Sequence, residues 1–178
     1  ISVLGPPATG KTYISELLGA ELDEYKVIKF DMANFTWHGT VSALIGNPAG
    51  TSESGPGELT SFVNKYAKTV IVFDEIEKAD MSVQKVLLKL LDKGKMKDLC
   101  GKFEDELGSS KECGKGVSVD FTQTVVVFTS NLGKELYNNH DFINNFDSNP
   151  LQSESMILEA ISRETKKVEN EDIPAVDS

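Results

Sequence analysis

Eight consecutive residues, Gly5-Pro6-Pro7-Ala8-Thr9-Gly10-Lys11-Thr12, have the spacing of a phosphate-binding loop. Glycines at both ends let the backbone curl so that several N–H groups converge on one phosphate. A helix starting where the loop ends adds its partial positive charge. Lys11 can reach the terminal phosphates, and the Thr12 hydroxyl can take a place on Mg²⁺. Two acids, Asp74 and Glu75, close the apolar run Thr69-Val70-Ile71-Val72-Phe73. Asp74 suits a water-mediated hold on Mg²⁺, and Glu75 can polarise the water that attacks a γ-phosphate. Asn131 follows a third apolar run, Val125 to Phe128, and its amide can sense or orient that phosphate. The chemistry these groups can do together is hydrolysis of a nucleoside triphosphate with Mg²⁺ as cofactor. Each has a plainer reading as well: a glycine-rich turn, acids that end a strand because loops are solvated, and an Asn that opens a turn before Leu132-Gly133.

Positioning such groups requires strands that end together and a helix that begins at the loop. Ile1 to Leu4 reads as a short strand, and the helix after the loop places Ile14, Leu17, Leu18 and Leu22 on one face. Tyr25 to Asp31 reads as a second strand. The run ending at Asp74 has no polar interruption, as expected of a strand buried on both faces of a parallel sheet, with its ligand-facing groups at the C-terminal end. A short helix is expected over 38–46, a Gly/Pro/Ser-rich loop over 47–57 and a helix over 58–67. In the helix over 82–91, Val83, Val86, Leu87, Leu90 and Leu91 face the core. A polar loop is expected over 138–150, then a helix from Ser153, its N-cap, to Val168, with the last ten residues frayed. Alternating strands and helices over 178 residues make one α/β domain, a P-loop NTPase three-layer sandwich with a parallel sheet.

The formal charge is −10, with 17 Lys and a single Arg, Arg163. Without basic clusters such a surface is a poor match for nucleic acid, whose binding rests on neutralised phosphates. No apolar run approaches the length of a membrane span. Cys100 and Cys113 lack the further ligands of a zinc site. A disulfide between them is one reading and free thiols the favoured one.

The run Val72-Phe73-Asp74-Glu75-Ile76-Glu77-Lys78-Ala79-Asp80, followed by Val86-Leu87-Leu88-Lys89-Leu90-Leu91-Asp92-Lys93-Gly94, resembles the AAA+ ATPases of the Clp type, in particular the second AAA+ module of the Clp disaggregases and unfoldases. Phe30 to Phe35, Leu44 to Pro48, Val119-Asp120-Phe121 and Thr129 to Gly133 extend the likeness over most of residues 1–133. The resemblance implies that residues 1–178 are an AAA+ large subdomain, ending before the helical lid. It implies ATP turnover coupled to remodelling of a protein client, a homo-oligomeric ring (a hexamer in the family), and an intracellular, cytoplasmic setting, with organelle and nucleus left open. It assigns Gly5, Pro6, Pro7, Ala8, Thr9, Gly10, Lys11 and Thr12 to the nucleotide, Thr12 and Asp74 to Mg²⁺, and Glu75, Lys11 and Asn131 to catalysis.

Three departures stand beside the resemblance. The family carries a gripping aromatic after its Ile-Gly-x-Pro segment, whereas Gly50 to Gly57 holds none and Thr51 aligns with the ring. An insertion, Leu99 to Cys113, precedes Gly114-Lys115-Gly116 and reads as a partner contact or an inert loop. At the family's arginine finger the alignment sets Ala175, in Pro174-Ala175-Val176-Asp177. Arg163 is then the candidate finger, or else a solvated helix residue. These departures motivate a second reading, a slow or inactive ATP-binding switch or scaffold in a signalling or assembly protein.

Overall fold

A computed structural model describes residues 1–101, 103, 113–145 and 148–171. The chain divides into two compact units, Ile1–Ser2 with Thr12–Thr129, and Val3–Lys11 with Ser130–Ser178. Its strands are β1 (Ser2–Leu4), β2 (Lys26–Asp31), β3 (Thr69–Asp74), β4 (Lys95–Asp98), β5 (Val117–Asp120) and β6 (Val125–Ser130). Four of them form one sheet in the order β1-β6-β3-β2, in which β2–β3 and β3–β6 are parallel. The remaining two, β4 and β5, make an antiparallel hairpin that hydrophobic patterning did not reveal.

In the larger unit, the central strand β3 is buried from Thr69 to Phe73, as its unbroken apolar run requires. The pleat sends alternate residues to opposite faces. One face carries Phe30, Phe73 and Phe128 in register across three strands. Their rings stack at 5.7 and 5.4 Å between centroids. Against this face lie buried side chains of α3 (Glu58–Lys65) and α4 (Met81–Lys93), among them Leu59, Val63, Val83, Leu87 and Leu90. Leu91, expected on that buried side, is exposed. The opposite face takes α1 (Lys11–Glu21) through Val27 and Lys29 of β2. Helix, sheet and helix make three layers. A short 3₁₀ turn (His38–Thr40) and α2 (Val41–Ile45) precede the 47–57 loop.

The face α1 buries differs from the expected one. Lys11, Ser15 and Gly19 are buried, while Ile14 and Leu17 are exposed. A Cβ on Gly19 would lie 2.2 Å from Val27 Cγ2, so the helix approaches the strand more closely than any larger residue allows. Small residues rather than leucines thus mark the contact.

Cys100 and Cys113 are joined in a disulfide, which corrects the preference for free thiols. Gly101 at φ +67° turns the chain back, and the Gly114 N–H donates to Cys100 O at 2.9 Å. The two arms of the insertion are so close that a Cβ on Gly101 would sit 2.3 Å from Lys115 O. Residues 102 and 104–112, most of the insertion, lie outside the described residues.

In the smaller unit, a 3₁₀ turn (Lys134–Asn138) leads into α5 (His140–Asn145) and α6 (Pro150–Glu171). α5 occupies part of the expected loop because Asn139 Oδ1 accepts from the N–H groups of Asp141 and Phe142, capping a helix that buries Phe142. α6 starts three residues before the expected cap, at Pro150, whose fixed φ suits a first helical position. Ser153 is buried within it. The helix also continues to Glu171, beyond the start of the expected frayed end, and residues 172–178, with Ala175, lie outside the described residues.

Candidate functional site

Asp74 ends β3 on the face that carries α1, in register with Asp31 and diagonal to Lys29 of β2. Thr12, in the first turn of α1, donates to both Asp74 oxygens at 3.0 Å. Thr129 on β6 donates a short bond to Oδ1, and the Lys29 ammonium lies 3.1 Å from Oδ2. Lys29 also faces Glu16, one turn beyond Thr12, at 3.8 Å. Burial pushes the Asp74 carboxyl up, but the bonds from Thr129, Lys29 and Thr12, with the Lys29 charge, outweigh it and hold the group below its usual value. An ionised carboxylate beside a hydroxyl oxygen is a hard, all-oxygen donor pair, the kind Mg²⁺ takes, so these residues fit that ion.

Glu75 follows in the left-handed region at φ +56° and ψ +54°. This conformation is strained for a residue with a side chain, and it turns the chain sharply off the strand. Among the bonds at this turn, the Glu75 N–H donates to Thr129 Oγ1 at 3.0 Å, the Lys78 N–H to Glu75 O at 2.9 Å, and the Lys78 ammonium to Glu75 Oε2 at 2.5 Å. The bond that Lys78 donates to Glu75, with the carboxylate's charge, raises the Lys78 pKa.

Gly5 to Lys11, expected from the sequence to bind phosphate, belong to the smaller unit. Gly5 N–H donates to Ser130 O at 3.3 Å, and Thr9 Oγ1 to Pro6 O at 2.8 Å. Ala8 at φ +62° and Gly10 at φ +84° supply the left-handed turns that curl the loop. Lys11 is buried, and its ammonium donates to Gly5 O at 2.9 Å, Pro6 O at 2.8 Å and Asn131 Oδ1 at 2.8 Å. Asn131 and Lys11 are therefore brought together. Tyr137 reaches the same segment, its hydroxyl donating to Leu4 O at 3.4 Å.

Arg163 stands exposed on α6 and pairs with Glu159 one turn back at 3.3 Å. Sequence reasoning passed over Lys29, Thr129 and Lys78 as site residues. Lys29 was within reach, since it sits two residues before Asp31 on a strand of known pleat. Thr129 and Lys78 depend on strand register and on the turn at Glu75, which composition does not encode.

Among the described residues no group of acids, histidines and cysteines forms a metal cluster, and no helix is long and apolar enough to cross a membrane. The sequence profile of the family described as AAA domain (Cdc48 subfamily) matches residues 1–173. Heat shock protein 100 of Trypanosoma brucei brucei is 38% identical over 135 residues, covering 74% of this chain and 14% of that protein. The chaperone protein ClpB of Meiothermus ruber is 39% identical over 137 residues, 75% of this chain and 14% of its own length. ClpB of Staphylococcus aureus (strain COL) is 37% identical over 136 residues, again 75% and 14%. The matched region thus spans about 14% of the length of these relatives.

Proposed function

Because the chain belongs to the AAA domain (Cdc48 subfamily) family, we propose that it is an ATP-binding and ATP-hydrolysing module, Clp-like, whose turnover drives remodelling of protein partners within a homo-oligomeric ring. The observation that carries this reading is the convergence of Thr12, Thr129 and Lys29 on an ionised Asp74, next to a Glu75 held in a left-handed turn.

Gly5 to Thr12 bind the triphosphate through backbone N–H groups, and Lys11 exchanges its bonds with Gly5 O and Pro6 O for phosphate oxygens. Asn131, already bonded to Lys11, follows that exchange and orients the terminal phosphate. Thr12 and Asp74 would hold Mg²⁺, which when bound would neutralise charge developing on the phosphate oxygens. Thr129, Lys29 and Thr12 together keep Asp74 ionised. Glu75 takes the proton of the attacking water. Arg163 is the candidate finger offered to a neighbouring copy, where a cation stabilises the transition state.

The test is steady-state phosphate release by the purified protein and by its Glu75→Gln variant, with Mg-ATP binding followed as a thermal shift. Turnover in the wild type and its loss in the variant are expected, with binding retained in both. At about a hundred times its Kd, a ligand adds roughly 2.7 kcal/mol to stability. Equal turnover in wild type and variant refutes the role of Glu75. Binding without turnover in either favours the second reading, an ATP-binding switch or scaffold, which the absence of an aromatic from 50–57 motivates.

A further inference from the structure

We propose that Lys78 is a positioning residue for hydrolysis, its ammonium holding the Glu75 carboxylate in the orientation from which it takes the proton of the attacking water. The inference rests on the reading of Glu75 as the base. Glu75 leaves β3 in a strained left-handed turn, and such a turn persists only where neighbouring bonds over-determine it. Two of these bonds fix its main chain: the Glu75 N–H to Thr129 Oγ1 and the Lys78 N–H to Glu75 O. Neither reaches the carboxylate. The bond from Lys78 Nζ to Oε2 at 2.5 Å does.

The same 3₁₀ turn, Ile76–Lys78, that brings the Lys78 N–H to Glu75 O carries its side chain back over Glu75. The turn that brings the Lys78 ammonium to the Glu75 carboxylate lies within the four residues Glu75-Ile76-Glu77-Lys78. Asp31 at the end of β2 and Glu77 also attract the Lys78 ammonium electrostatically, yet the hydrogen bond goes to Glu75.

The pair is a poor stabiliser of the fold, since Lys78 is half-exposed and ion pairs open to water contribute little to stability. A side chain that scarcely supports folding but sets the direction of a base has its effect in the rate. A misdirected base lowers kcat without weakening ATP binding, because neither Glu75 nor Lys78 is among the groups read as holding the triphosphate or its Mg²⁺.

The experiment compares wild type with Lys78→Met, Lys78→Arg and Glu75→Gln, reading kcat and KM for Mg-ATP separately together with the melting temperature. Expected are a kcat for Lys78→Met lower by about tenfold or more, a KM within about twofold of wild type, and recovery of most of the loss in Lys78→Arg, which keeps the cation. The melting temperature should scarcely move. If Glu75→Gln abolishes turnover while Lys78→Met turns over like wild type, the positioning role is wrong and the base stands. If Glu75→Gln turns over normally, the base reading itself fails. A Lys78→Met variant whose KM rises while kcat holds also overturns the inference, since Lys78 would then serve binding. So does a Lys78→Arg variant as slow as Lys78→Met with the melting temperature lowered in both, which marks a structural role.

Discussion

Removing the side chain of Asp98 should loosen the end of the 47–57 loop by an amount that can be worked from three bonds. Asp98 ends β4 and is fully buried. One oxygen accepts from the Gly57 N–H at 2.8 Å and from Thr60 Oγ1, and the other accepts from the Gly101 N–H at 2.6 Å. The side chain thereby ties the N-terminus of α3, where the loop ends, to the arm that enters the disulfide. In Asp98→Ala, Thr60 keeps Leu44 O and Gly57 O as acceptors at 3.3 and 3.2 Å, so its loss is small. The Gly57 N–H is buried and keeps no acceptor, while the Gly101 N–H is partly open to water. An orphaned buried donor costs roughly 1–3 kcal/mol, so one full and one partial loss give about 2–4 kcal/mol. That is a large share of a typical total of about 5–15 kcal/mol. Asp98→Asn keeps one carbonyl oxygen and should lose about half as much. Urea unfolding followed by circular dichroism gives the two values, and amide exchange at Gly57 reports the site directly. An Asp98→Ala variant within about 0.5 kcal/mol of wild type, or an Asn variant as unstable as the Ala one, would refute the reasoning.

Gly19→Ala should destabilise the protein although alanine is the better helix former by about 1 kcal/mol. The new methyl meets Val27 Cγ2 at 2.2 Å, and overpacking of that kind costs about 1–3 kcal/mol, so a thermal melt should show a net loss. Opening the Cys100–Cys113 disulfide, by a dithiol reductant or as the double Ser variant, should lower stability by about 3 kcal/mol, the chain-entropy figure for a loop of this order. A unchanged urea midpoint on reduction would contradict it. Asp80 caps α4 by accepting from Ser82 N–H and Oγ, and those bonds depress its pKa. A depressed carboxyl stabilises the fold above its unfolded pKa and loses that contribution as pH falls through the folded one. Asp80→Ala should therefore be less stable than wild type at pH 7, with the gap closing in acid. A gap that stays constant from pH 7 down to about 2 would show that the carboxylate charge plays no part.

The loop after β1, the strand ending at Asp74 and the strand before Asn131 were legible in the sequence because each rests on a local signal: a glycine spacing or an unbroken apolar run. The buried face of α1 was not, because contact there depends on the absence of side chains at Ser15 and Gly19, and hydrophobic periodicity counts only what is present. The same limit hid α5, which is fixed by one Asn139 cap and one buried Phe142 in an otherwise polar stretch. The β4–β5 hairpin escaped for a further reason: its partners are separated by the insertion, and each strand has only four residues, Lys95–Asp98 and Val117–Asp120. Within the site, the two groups named for Mg²⁺ do meet, whereas Lys29, Thr129 and Lys78 enter through register and turn geometry.

The 47–57 loop, where this chain parts from the Clp pattern, is held by its own polar groups rather than poised around a ring. Asn47 and Gly55 form a β-bridge, Asn47 Nδ2 donates to Glu53 O at 3.1 Å, and Thr51 Oγ1 donates to Pro48 O at 3.0 Å. Thr51, expected from the sequence to align with the family's aromatic, spends its hydroxyl on closing its own turn. A ring anchors a partner by burying a large apolar area at low entropic cost, and no side chain from Gly50 to Gly57 can do so. What the loop does possess is a firm base. Gly57 is bound to Asp98, the Leu99 N–H donates to Ile45 O at 2.7 Å, and a Cβ on Gly57 would lie 2.2 Å from Leu44 O. Displacement of α3 would accordingly carry the loop's end and the neck of the insertion together. The loop's end, the start of α3 and the entry to the insertion thus share one hydrogen-bonded base, centred on Asp98.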